Sequence, residues 1–315
     1  MPRDAAPLDP WAARAVRAVR AVRALLRAHL PDVPAATIVP LGSGLDHGTF
    51  LVDGTLVVRL PLAHDDDGAP DGSAAGAHGG DLADVEREAR LLRLLAGALP
   101  VAVPEPVLVD PGRGALAYPL LPGRPLLDLP EVARARATAV GARLGAVLAV
   151  LHAVPADDVA GLVAHDATAL EEWLADAAEH HAAVAGHLAG HVRPAVRAFL
   201  DAPPPSAGQP VLSHNDLGIE HVLVDAGGHV TGLIDWSDAA LVDPARDLGL
   251  VLRDLGPAAL DTALTASGHE DRGLPERALF YARCGALEDL AYGLEAGRGA
   301  YAAKSITALA WLFPG

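Results

Sequence analysis

Residues 213–247 read SHNDLGIEHVLVDAGGHVTGLIDWSDAALVDPARD, and their reading decides the fold. His214-Asn215-Asp216 occupies a turn-like segment. An apolar run from His221 to Asp225 follows, then Ala226-Gly227-Gly228, then a returning run from His229 to Ile234, with Asp235 closing it. Alternating apolar runs about a Gly-Gly turn predict a β-hairpin. Folding it brings His221 back beside Ile234 and Asp235, near Asp216. A carboxylate base and a divalent-cation site are thus expected within one short stretch, the arrangement that phosphoryl transfer requires.

The rest of the chain must supply the other half of such a site. It has 315 residues, enough for one large domain or two lobes. It is 51% hydrophobic with a mean hydropathy of +0.27, so core material is ample, but only 4% aromatic, so the core is Leu, Val and Ala. A net charge of −16 argues against a nucleic-acid partner, which needs a basic face. Cys284 is the only cysteine, so no intrachain disulfide is expected. The N-terminal arginines precede no apolar run with a small-residue cleavage site, so no signal peptide is expected. Leu144 to Leu151 is far too short to span a bilayer. A cytoplasmic protein, monomeric and without a membrane partner, is the expectation. Lys304 is the only lysine, so a cation needed in the first half must be arginine.

Upstream, residues 9–30 predict a helix, with Asp9 as cap, Pro10 in the first turn and Arg14, Arg17, Arg20 and Arg23 in series on a solvated face. Leu41 to Val52 is a Gly-rich turn between β-rich segments. Glycines there let backbone N–H groups approach phosphate oxygens, although a plain hairpin reads equally well. Thr55 to Leu60 is a strand carrying Arg59 among apolar residues. Residues 63–84 read as a loop in which Asp65-Asp66-Asp67 is a solvated charge run. A helix follows from about Leu82 to Gly97. Its Glu88 shares a face with Leu91, Leu92 and Leu95, so it points towards packed structure and needs a cation, for which Arg59 is the candidate. Strands are expected at Val107–Val109 and residues 113–121.

A lobe boundary is expected at Pro122, with a β-rich lobe over 1–121 and a mostly helical one over 122–315. The second carries a helix over 130–153 ending at His152, one or two helices over 166–201, helices over 248–255 and 256–266, and a broken helical region over 275–311. His187 and His191 have an i, i+4 spacing that zinc could use, but no further ligand stands at matching distance.

The order of these parts is that of a protein-kinase-like fold. The chain resembles the aminoglycoside phosphotransferase superfamily: His214-Asn215-Asp216-Leu217 is similar to its catalytic loop, Leu233-Ile234-Asp235-Trp236 to its metal-binding motif, and Ala239 to Asp247 to the segment that follows. Histidine at 221 and the stretch Glu288 to Glu295 resemble the aminoglycoside 2″- and macrolide 2′-phosphotransferase branch. The resemblance implies an α+β, bilobal fold and an enzyme using Mg²⁺ with ATP or GTP to phosphorylate a hydroxyl of an antibiotic. It implies Asp216, with His214 in the same motif, as catalytic, and His221 and Asp235 as metal ligands, His221 acting directly or through water because imidazole suits Mg²⁺ poorly. It implies Arg59, held by Glu88, on the α/β-phosphates, with Ser43 and Gly44 covering them. It implies Ala117, Tyr118 and Leu120 at the purine, Asp238, Glu288 and Asp289 at the acceptor, and Asp247 steadying the catalytic loop. A metabolite kinase of the same superfamily and a nucleotide-binding pseudokinase are the alternatives.

Overall fold

A computed structural model describes residues 10–43, 47–61 and 81–314. The N-terminal tail, Gly44 of the Gly-rich turn and the acidic run at 65–67 lie outside the described residues. The chain divides into two compact units. The first takes in residues up to Ala96 together with Pro104–Leu121; the second takes in Gly97–Val103 and everything from Pro122.

In the first unit, helix α1 (Pro10–His29) precedes strands β1 (Ile38–Ser43), β2 (His47–Val52) and β3 (Leu56–Pro61). Helix α2 (Asp81–Ala96) and strands β4 (Leu108–Asp110) and β5 (Ala115–Pro119) complete it. The five strands form one sheet in the order β1-β2-β3-β5-β4, and every pairing is antiparallel. The tight turn between β2 and β3 places Asp53 and Gly54 at positive φ. The solvated-face reading of α1 holds for Arg17, Arg20 and Arg23, which are exposed. Its other face is core: Val22, Leu25 and Leu26 are buried with Phe50, Val52, Val58 and Leu60 of the sheet. Burial of this stripe, rather than helix propensity alone, fixes α1 in place.

The second unit begins with a short strand, β6 (Arg124–Pro125), and the long helix α3 (Pro130–Leu151). Strand β7 (Ala164–His165), helices α4 (Leu170–Val184) and α5 (Arg193–Leu200), and strands β8 (Val211–Ser213), β9 (Val222–Val224), β10 (Val230–Leu233) and β11 (Ala240–Val242) follow. Helices α6 (Ala245–Leu255), α7 (Pro257–Ser267), α8 (Leu274–Glu295) and α9 (Gly299–Leu312) end the chain. The hairpin β9–β10 forms as its alternation predicts and takes β6 as a third strand. Strands β7, β11 and β8 make a second small sheet. Helices α3 and α7 approach closely because Gly141 and Gly145 lie directly against the backbone of Ala259 and Ala263. Among the described residues, no helix is long and apolar enough to cross a membrane.

His187 and His191 fall between α4 and α5, where no helical turn spans them, so their spacing does not put them on one helix face. Among the described residues, no three His, Cys, Asp or Glu side chains stand as a ready-made metal cage.

Candidate active site

In the second unit, the loop from Ser213 to His221 joins β8 to β9 and is held from beneath. Asp247, fully buried on α6, accepts the backbone N–H of His214 at 2.9 Å and of Asn215 at 2.8 Å. His152 lies 3.5 Å from the same carboxylate and 2.8 Å from the ring of His269. Burial raises the Asp247 pKa, but the bond and charge of His152, the nearby His214 and the N–H donor outweigh it, and the net shift is downward. The carboxylate is therefore ionised and acts as a fixed acceptor. Asn215 adopts φ +68°, a left-handed conformation that Asn tolerates better than most residues. Arg246 locks it by donating from Nε to Asn215 Oδ1 at 3.1 Å, while its guanidinium stacks on Trp173 at 3.9 Å.

That anchoring presents Asp216 to the hairpin. His221 Nδ1 lies 2.8 Å from the Asp216 carbonyl oxygen, which can only accept, so Nδ1 carries the proton. The same ring stands 3.3 Å from the Asp216 carboxylate and 3.7 Å, through Nε2, from that of Asp235. Ile234 N–H donates to His221 O at 3.0 Å, the contact expected from closing the hairpin. Asp235 itself has φ +61°, and Ser237 donates to its Oδ1 at 2.9 Å. Burial lowers the His221 pKa, but the charges of Asp216, Asp235 and Glu220 outweigh it and the net shift is upward. Asp238, beside the group, moves up through burial and through repulsion by Asp216 and Asp235.

Asp216 and Asp235 flank one imidazole, and Asp238 feels the charge of both, so the site carries excess negative charge. Its hard oxygen donors fit Mg²⁺, which typically takes one or two carboxylates and completes its shell with phosphate oxygens and water. Asp216 is 40% and Asp235 44% exposed, so neither carboxylate is enclosed by protein.

His214 requires correction. It is fully buried, sits 4.5 Å from the Trp236 ring and contacts Ile234 O at 3.1 Å through Nε2. Burial lowers its pKa. A neutral, enclosed imidazole cannot touch a substrate, so His214 ties the loop to the residue before Asp235. Asp289 also differs from its expected place. Its carboxylate faces Arg253 at 3.0 Å and Lys304 at 2.9 Å, at ion-pair distance but without hydrogen-bond alignment, and it belongs to a buried charge cluster. Glu288 and Asp238 are open to solvent on one side. Burial by surrounding protein nevertheless raises the Glu288 pKa, with Asp289 adding and Arg246 opposing.

In the first unit, β3 carries Arg59 and α2 carries Glu88, and Arg59 Nη2 donates to Glu88 Oε2. Both side chains are close to buried, at 12% and 9% exposure, so the pair is a held cation rather than a surface contact. Arg59 pairs in register with Leu116 of β5, which also carries Ala117 and Tyr118. Ala117 is buried, Tyr118 half-buried and the Leu120 side chain exposed. The Leu120 N–H donates to Thr55 O at 2.7 Å, so that donor is already committed to the turn before β3. The Ser43 backbone pairs with Gly48 at the end of β1.

Sequence reasoning missed the cluster of Glu220, Arg253, Asp254, Asp289 and Lys304, although a charged pair inside the apolar run LVLRDLG of α6 was its signal. It also missed Arg246, whose partner Trp173 is distant in sequence.

Residues 37–281 match the model of the phosphotransferase enzyme family, APH. Viomycin phosphotransferase of Streptomyces vinaceus is 35% identical over 100 residues, which cover 27% of this chain. The chain spans about a third of that curated relative's length, 35%. Among solved structures, the GDP and kanamycin complex of APH(2″)-IIia superposes with a TM-score of 0.67 at 22% identity, covering 92% of this chain and 97% of that one. Macrolide 2′-phosphotransferase MphH from Brachybacterium faecium superposes with a TM-score of 0.61 at 28% identity, over 92% of this chain and 97% of that one. The APH(2″)-IIia likeness shows the fold, the kinase-like α+β architecture expected from the motif order.

Proposed function

The chain belongs to the phosphotransferase enzyme family, and from that premise we propose that it moves the γ-phosphate of ATP or GTP to a hydroxyl of an antibiotic, an aminoglycoside or a macrolide. The observation that carries this reading is the Asp216–His221–Asp235 cluster on a loop anchored by Asp247. Asp216 orients the acceptor hydroxyl and takes its proton as the oxygen bonds to phosphorus and the bond to the β-phosphate breaks. Positioning dominates because the transition state is loose. His221 braces the loop through Nδ1, which donates to the Asp216 carbonyl, and turns Nε2 towards Asp235. A divalent cation bound at Asp235 and His221 would neutralise charge on the β- and γ-phosphates. Arg59, fixed by Glu88, binds phosphate oxygens as a fork. The Ser43 segment covers the phosphates, and Ala117, Tyr118 and Leu120 border the purine.

The relatives supply support for the donor, since members of this group have been solved with GDP, ATP or ADP bound. The acids Asp238 and Glu288, exposed and without a compensating lysine or arginine salt bridge among the described residues, favour an acceptor that carries amines. With a nucleoside triphosphate as donor and a lone cysteine, the reading favours a cytoplasmic protein. Mass spectrometry of aminoglycosides and macrolides incubated with protein, Mg²⁺ and either ATP or GTP tests it. A gain of one phosphate on a member of the panel is expected. Tight nucleotide binding with no acceptor modified, across antibiotics and amino-alcohol or sugar metabolites alike, would refute it.

A further inference from the structure

The lysine that the first half of the chain lacks is enclosed inside the second unit. Lys304 of α9 places its ammonium 2.7 Å from Glu220 Oε2, 2.9 Å from Asp289 Oδ2 and 3.4 Å from Asp254 Oδ2. Its side chain is only 6% exposed. Arg253 of α6 shares the same three carboxylates. It reaches Asp254 at 2.7 and 2.9 Å, Asp289 at 3.0 Å and Glu220 at 3.8 Å. Two cations therefore stand among three anions, and withdrawing either cation leaves buried carboxylates uncompensated.

This cluster is joined to the catalytic loop at consecutive residues. Asp254 Oδ2 accepts the Ile219 backbone N–H at 3.0 Å. Glu220, gripped by Lys304, immediately precedes His221. The turn closes through His221 N–H to Gly218 O at 2.9 Å, and His221 O receives the N–H of Ile234, the residue before Asp235. A continuous path runs from α9 through the charges to residues 219–221 and on to both metal-site residues. Arg246 and Asp247 hold the start of the loop; the cluster holds its end.

We propose that Lys304 is a positioning residue that sets the placement of His221, and through it of Asp216 and Asp235. The inference rests on the phosphotransfer reading for its catalytic consequence. Lys304 touches neither nucleotide-binding residues nor the reacting carboxylates, so it governs turnover rather than nucleotide affinity.

Lys304→Met, Lys304→Arg and the charge-matched double variant Lys304→Met/Glu220→Gln test this. Two readouts apply to the folded proteins: kcat and KM for ATP or GTP well below the melting temperature, and backbone amide exchange across residues 217–224. Lys304→Met should lower kcat by about 10- to 100-fold, as loss of outer-shell partners does. The nucleotide KM should stay within about twofold, the signature of an interaction absent from ground-state binding. The Ile219 amide should exchange faster. Lys304→Arg, which keeps the charge and has a neighbouring cavity of about 410 Å³ to accept its bulk, should recover most of kcat. Should Lys304→Met fail to fold, the double variant carries the same expectation. Wild-type kcat with unchanged loop exchange in folded Lys304→Met or in the folded double variant, whatever its melting temperature, would overturn the proposal. Should the wild-type protein phosphorylate no acceptor, the phosphotransfer reading fails on its own, and loop exchange still decides whether Lys304 moors the loop.

Discussion

Replacing Asp247 by Asn keeps the shape of the side chain and removes one acceptor. In the wild-type protein its two oxygens receive the N–H groups of His214 and Asn215 at 2.9 and 2.8 Å, with no exposure to water. Hydrogen bonds to a charged group contribute about 1.5–3 kcal/mol each, and a buried N–H left without an acceptor costs about 1–3 kcal/mol. Asn can accept from one of the two amides but turns an NH₂ towards the other, so the loss should be about 3–5 kcal/mol. Against a typical domain stability of about 5–15 kcal/mol that is a large fraction. With a urea m-value of about 2 kcal/mol/M, the unfolding midpoint should fall by about 2 M. Urea titration followed by tryptophan fluorescence reads the correct unit, because Trp173, Trp236 and Trp311 all belong to it. The difference should also depend on pH. The folded pKa of Asp247 is depressed, so its contribution is fully present above the unfolded value of about 3.9 and fades as pH falls from there through the folded pKa. Wild type and variant should differ by a constant amount between pH 5 and pH 7 and converge as the pH falls below the unfolded value and through the depressed folded pKa. A midpoint shift under about 0.3 M at neutral pH would refute the assignment of Asp247 as the loop's anchor.

Three further outcomes follow from other parts of the molecule. Arg59→Ala should weaken ATP or GTP binding by on the order of 10- to 100-fold, since it removes a charge-assisted fork, and unchanged affinity in calorimetry would remove Arg59 from the nucleotide site. Gly145→Ala should lower the melting temperature by several degrees, because its Cβ would press on the backbone of Ala263 and overpacking costs about 1–3 kcal/mol; Gly299→Ala, with nothing near its added Cβ, is the control that should not. Burial pushes the Cys284 thiol up to about 12, so the native protein should resist iodoacetamide at pH 8 and react only once unfolded.

The parts of the site that were readable in the sequence are those whose geometry is local. The hairpin returned His221 to Asp235 because alternation and a Gly-Gly turn set its register within about fifteen residues. Glu88 pointed to Arg59 because a carboxylate on an apolar helix face needs a cation, and the first half of the chain offers only arginine. What stayed hidden depends on chain segments far apart. Lys304 and Glu220 are 84 residues apart, and Arg246 of α6 meets Trp173 of α4 only because both helices pack on α8. The strands Val211–Ser213 and Ala240–Val242 are three residues each, too short for periodicity to declare them. His214 misled for a related reason: its place in the motif is next to the base, but only the tertiary structure shows its ring turned inward against Trp236.

The most direct test of the account is phosphoryl transfer by wild-type protein and Asp216→Asn compared side by side. Each is incubated with Mg²⁺, γ-labelled ATP or GTP and the acceptor that the panel identifies, and label in the acceptor is measured. The wild type should label the acceptor hydroxyl, and Asp216→Asn should lose at least about a hundredfold in kcat, the scale of a removed general base, while still binding nucleotide. Near-wild-type transfer by Asp216→Asn would contradict the central claim that this carboxylate performs the reaction.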